Sequence, residues 1–165
     1  MRTILEPDWE TAERLYPTVK KLIEEYAKFV DEYGDGCLHE YKNVEHKLHE
    51  ITGKDMEQYN LWEWWEGEGL EVLSFRISLP EPNTVQDITK DELLEVVKKI
   101  KPDVFQPNNG DSFKDIFGYH IADFYRELLK RNFKRYKPEY FNRQKGKNGK
   151  YFEYSAEEIS EKIWG

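Results

Sequence analysis

Cysteine is almost absent. Cys37 stands alone, so no intramolecular disulfide can form and nothing in the chain calls for an oxidising compartment. Long apolar runs are missing as well. No segment approaches the roughly 20 consecutive apolar residues needed to cross a bilayer. The opening MRTILEPDWE has one basic residue and a short apolar run cut off by Glu6 and Pro7, which is not the pattern of a secretion signal. The chain is therefore expected in the cytoplasm and away from membranes. The glycine-containing loops lack a phosphate-loop pattern, leaving nucleotide binding without support, and none of the recognised zinc-ligand spacings is present. Internal repeats and low-complexity linkers are missing too, so residues 1–165 are read as a single globular domain, large enough to fold around an ordinary core without metal or disulfide.

What the chain has instead is charge and aromatic rings. Its 33 Asp and Glu against 25 Lys and Arg give a net charge of −8, which favours solubility and argues against wholesale coating of DNA or an anionic membrane. Any such contact must be local. Only 38% of residues are hydrophobic, yet 15% are aromatic, so rings must do much of the packing, and a disordered chain is excluded.

Periodicity predicts an α+β fold of about five helices with one or two antiparallel β-hairpins, at 61–79 and 139–154. Apolar residues recur every three or four positions from Ala12 to Tyr33; Pro17 places the main helix at about 17–33, with a short turn of helix before it. A second stripe, Leu38 to Ile51, stops at Gly53, and the short loop between makes these two helices antiparallel neighbours. In LEVLSFRISLP, Leu73, Phe75, Ile77 and Leu79 alternate with Ser74, Arg76 and Ser78, the pattern of a half-buried strand; NLWEWWEGEG before it supplies a partner strand and a turn. Thr89 with Glu92 forms a capping box for a short helix. Ser112 with Asp115 opens a longer one whose stripe runs Phe113, Ile116, Phe117, His120, Ile121, Phe124 and Leu128. A hairpin turning at Asn148-Gly149 follows, then a final helix capped by Ser155 and Glu158. Leu48, Phe75, Val97, Phe117 and Phe124 are expected in the core.

The charge is unevenly laid out. Between Arg126 and Lys150 ten basic residues face only Glu127 and Glu139, a net of +8 that leaves −16 on the remainder. At about 100° per residue, Arg131 and Arg135 project on the face of Phe117, Phe124 and Leu128, so an apolar stripe gives way to guanidiniums. Tyr136, Tyr140, Phe141, Tyr151 and Phe152 are interleaved with the cations, as stacking and pairing with bases or phosphates would require. The plainer explanation is that the strip docks on the protein's own acidic helices.

Other constellations are thinner. His46, His49 and Glu50, at i, i+3 and i+4, could meet one cation, with His39 or His120 in support, although EHKLHE is ordinary for a solvated helix face. Glu63, Glu66, Glu68 and Glu71 lie among tryptophans, the equipment of sugar binding or paired acid-base hydrolysis. Cys37 and His39 point in different directions and lack an orienting third group. The sequence thus points to a non-catalytic cytoplasmic binding or regulatory protein without a cofactor. Its basic-aromatic surface at about 126–150, with Lys130, Arg131, Lys134, Arg135, Tyr136, Arg143, Lys145 and Lys147, would contact an acidic protein or a nucleic-acid backbone. One alternative is a metal-dependent enzyme using His46, His49 and Glu50. Another is an acidic inhibitor or immunity-type protein that masks a basic partner.

Overall fold

Helices dominate the computed structural model, which describes residues 1–63, 67–102 and 110–165; a small two-stranded antiparallel sheet makes the fold α+β but mainly helical. The described residues hold seven α-helices rather than about five. The chain divides into two compact units, one formed by Asp8–Pro80 and Ser112–Phe117, the other by Met1–Pro7, Glu81–Asp111 and Gly118–Gly165.

In the first unit, the Asp8 carboxylate accepts from the Thr11 amide at 3.0 Å and starts α1, Trp9–Tyr33. The helix runs straight through Pro17 instead of beginning there. It forgoes the bond a proline nitrogen cannot donate, and burial of Ala12, Val19, Ile23 and Tyr26 on one face offsets that loss. Gly34, at φ 81°, ends it. Helix α2, Leu38–Thr52, buries Val44 and Leu48 against α1 and stops at Gly53 in the left-handed conformation. The residues read as the second strand of a hairpin are helix α3, Leu70–Ser78, packed along α1. Burial on nearly every side explains the misleading alternation: the Ser74 and Ser78 hydroxyls donate to the Leu70 and Ser74 carbonyls one turn earlier, so serines that look solvent-facing are interior. The expected partner strand falls partly on 64–66, outside the described residues.

The long helix expected from Ser112 is broken. Helix α5, Phe113–Phe117, gives way to a tight 3-10 turn at Gly118–His120, and α6, Ala122–Asn132, starts afresh. The apolar stripe is therefore not continuous, His120 is exposed, and Arg135 lies beyond the end of α6.

In the second unit, α4, Lys90–Ile100, and α7, Ala156–Trp164, both start with the capping boxes read from sequence, and α4 packs on α6 and α7. Leu5, Leu93, Val97, Leu128, Leu129 and Ile159 are fully buried there. Strands β1, Gln144–Lys145, and β2, Tyr151–Phe152, pair Gln144 with Phe152 and Lys145 with Tyr151. The hairpin is thus shorter than 139–154, and Pro138–Phe141 is 3-10 helix. All five residues expected in the core are buried.

One terminus carries a pH dependence. Arg2 Nε lies 2.6 Å from Glu92, and the Thr89 amide donates to the same carboxylate at 2.9 Å. The guanidinium first, then the cap amide, hold the Glu92 carboxyl at about 2. Because the folded value lies below the unfolded one of about 4.3, the stabilisation is present above that pH and lost as pH falls towards the folded value. Between pH about 5 and about 2, the thermal midpoint of Glu92→Gln is expected to fall less steeply than that of the parent; parallel curves would show that the pair adds nothing.

Candidate functional site

The basic segment lies wholly in the second unit and splits into two halves of different character. On α6 the cations are matched. Arg126 meets Asp123 at 3.0 Å, Lys130 meets Glu127 at 3.3 Å, and Arg131 holds Glu127 at 2.9 Å, Glu81, and the Pro82 carbonyl at 3.2 Å. Beside it the Asn132 side chain accepts from the Val85 amide at 2.6 Å and donates to the Asn83 carbonyl. The end of α6 therefore clasps the extended segment 81–85. Lys130 and Arg131 are structural partners of carboxylates in their own unit.

Beyond α6 the pattern reverses. Among the described residues, Lys134, Arg135, Lys137, Arg143, Lys145, Lys147 and Lys150 have no carboxylate within 4 Å. Arg135 lays its guanidinium against Gly165, with no room between them for a Cβ. Gly149, at φ 78°, lets the chain turn between Lys147 and Lys150, while the Gly146 amide donates to the Lys150 carbonyl at 2.8 Å. Two lysines are thereby set at the tip of the ribbon.

The strand register sorts the side chains. Arg143, Lys145 and Tyr151 share one face: the guanidinium sits 4.7 Å from the Tyr151 ring centroid and the Lys145 ammonium 6.0 Å. Tyr151 remains 57% exposed. On the other face Phe152 meets Tyr154 edge-on at 5.2 Å, and Lys162 from α7 lies 4.4 Å over Tyr154. Lys162 was not apparent from sequence, because spacing along α7 does not show its ammonium reaching back over Tyr154, which precedes the Ser155 cap, or lying 5.8 Å from the Tyr140 ring. Lys101, 2.9 Å from Glu153, lowers that carboxyl below its ordinary range, and Arg143 adds to the shift. Tyr136 is half-buried, which pushes its phenol up.

The other constellations disperse. His46 Nε2 faces Glu50 at 3.3 Å, whereas His49 Nδ1 bonds the Lys54 carbonyl at 2.8 Å. Both border an open groove with Lys42, Glu45, Asp55, Met56 and Glu57, but among the described residues no three metal-capable side chains converge. His39 points at Glu40, 3.8 Å away, and Cys37 is exposed at the head of α2. Of the glutamates near the tryptophans, Glu68 pairs with Arg76 at 2.8 Å and Glu71 with Lys20 at 3.3 Å; Trp64, Trp65 and Glu66 lie outside the described residues.

The second compact unit, with 16 cations against 15 carboxylates, is nearly neutral overall, and the first carries nine cations against 18 carboxylates. No described helix is long and apolar enough to cross a membrane. Compared with protein-family models, characterised proteins and solved structures, the chain matches none.

Proposed function

We propose that this chain is a non-catalytic binding protein that docks an anionic partner, an acidic protein segment or a nucleic-acid backbone, on the ribbon around β1 and β2. Lys134, Arg135, Tyr136 and Lys137 extend that surface. The observation that carries the reading is the split in the basic segment: the three cations on α6 are neutralised within their own unit, while the seven from Lys134 to Lys150 are not. Uncompensated cations repel one another, and a charged strip that serves only packing has no need of them. Tyr151, flanked by Arg143 and Lys145, adds a flat apolar surface to the same face.

The test replaces Arg143, Lys145, Lys147 and Lys150 together by Gln. Thermal stability is expected to change little, since exposed charges are worth at most about 1 kcal/mol each. Binding of the parent to a labelled oligo-dT strand or a poly-glutamate peptide is expected to drop sharply in the variant. For the oligonucleotide, every phosphate that the variant no longer neutralises lowers the slope of log K against log salt by about 0.7. Arg131→Gln is expected to do the opposite, lowering stability and leaving binding in place. A parent that binds neither probe, or a quadruple variant that unfolds early yet binds as before, would end the proposal.

A further inference from the structure

The acidic unit has its own uncompensated end. Helix α1 closes on Asp31 and Glu32, with Asp35 in the following loop, and its last turn holds no basic residue. Carboxylates there sit at the negative pole of the helix dipole, where cations are favoured. None of the three makes an ion pair among the described residues. At the same end of the α1–α2 hairpin, Tyr33 is 68% and Leu38 74% exposed, the two most open large apolar side chains of the chain's described part. Phe29, 5.0 Å from Tyr33, extends this apolar surface back along α1.

The ribbon has the complementary composition. It presents Tyr151 with Arg143 and Lys145 on one face and Lys147 and Lys150 at the turn. Each surface is an exposed apolar side chain bordered by unmatched charge, and the two signs are opposite. We infer that the acidic partner of the ribbon is a second copy of this chain, bound at the Tyr33–Leu38 end of its helical hairpin. This rests on the reading of the ribbon as an anion-docking surface and names its occupant. Since the two surfaces differ, the association is head-to-tail: a pair joined by one such contact leaves one ribbon and one hairpin end free, and assembly continues into a ring or an open chain. Ribbon against ribbon, by contrast, brings like charges together.

Sedimentation velocity of the full chain across a range of concentrations tests this. The average mass is expected to rise with concentration at about 0.02 M salt and to fall back to the monomer at about 0.5 M, where the screening length is only a few ångströms. Two variants separate the surfaces: Arg143→Gln with Lys145→Gln, and Asp31→Asn with Asp35→Asn. Each alone is expected to be monomeric. Mixed, they retain one good ribbon and one good hairpin end and are expected to form a one-to-one dimer, with circular dichroism confirming that both are folded. A parent that stays monomeric at low salt, or a mixture that does not pair, overturns the inference. If the same parent still binds poly-glutamate or oligo-dT, the ribbon remains an anion-docking surface and only the identity of its partner has failed.

Discussion

Phe75→Ala is expected to destabilise the protein by about 3–5 kcal/mol, the range for deleting a large buried ring and leaving a cavity. Phe75 is fully buried on α3 and has rings on several sides. Phe117 stacks on it with centroids 4.6 Å apart and planes within 8°, Trp9 stacks at 5.7 Å, and Phe113 meets it edge-on at 5.8 Å. Truncation therefore removes the ring's own burial together with three aromatic pairings, each worth about 0.5–1.5 kcal/mol beyond area. The neighbouring rings are rigid and cannot collapse into the space. Urea denaturation followed by tryptophan fluorescence reads the change, and a loss below about 1 kcal/mol would mean that this cluster does not anchor the unit.

The second large effect comes from a lysine. Lys54 is buried, and its ammonium donates to the Arg76 and Leu79 carbonyls at 2.7 Å each, closing the C-terminal end of α3. The charge also lies at the negative pole of that helix and 5.5 Å over the Tyr59 ring. Lys54→Met keeps most of the side-chain volume but strands the Leu79 carbonyl and leaves Arg76 with a long 3.4 Å bond from the Tyr59 hydroxyl. A buried acceptor without a donor costs about 1–3 kcal/mol, so a loss of about 2–4 kcal/mol is expected. The urea midpoint should move with little change in slope. An unchanged midpoint would show that water takes over both carbonyls.

Signals that act over a few residues were legible in the sequence. Gly53 ends α2, Thr89 with Glu92 and Ser155 with Glu158 cap α4 and α7, and Gly149 turns the ribbon, because each depends on one backbone conformation or one local hydrogen bond. The failures are tertiary. Alternation from Leu73 to Leu79 reads as a strand only if the serines face water, and their back-bonding inside a buried helix cannot be seen from spacing. Pro17 reads as a start only if the helix has no more packing to gain upstream, whereas Ala12 is already buried. The stripe from Phe113 to Leu128 conceals a break at Gly118, after which the chain belongs to the other unit.

The candidate site was half legible. Composition located the excess of cations, but it could not tell the ones held by Glu81, Asp123 and Glu127 from the ones left over. Glu81 is 50 residues from Arg131, so only the fold reveals that pairing. The sharing of one face by Arg143, Lys145 and Tyr151 depends on the strand register, which Asn148-Gly149 does not fix: a two-residue turn there would set Lys145 opposite Phe152, whereas a three-residue loop closed by Gly146 and Lys150 pairs Lys145 with Tyr151.

The way the two compact units divide the chain bears on any attempt to dissect it. The backbone passes from one to the other after Pro7, Pro80, Asp111 and Phe117, so neither is a contiguous stretch. Residues 8–80 expressed alone would carry α1, α2 and α3 yet lack Phe113 and Phe117, two of the rings that enclose Phe75. A fragment from residue 81 onward would lack Leu5 from its interior and the Arg2 clasp on Glu92. Truncation at a single point therefore cannot release an intact half, and on the ribosome neither core can close until the chain has been extruded past α5.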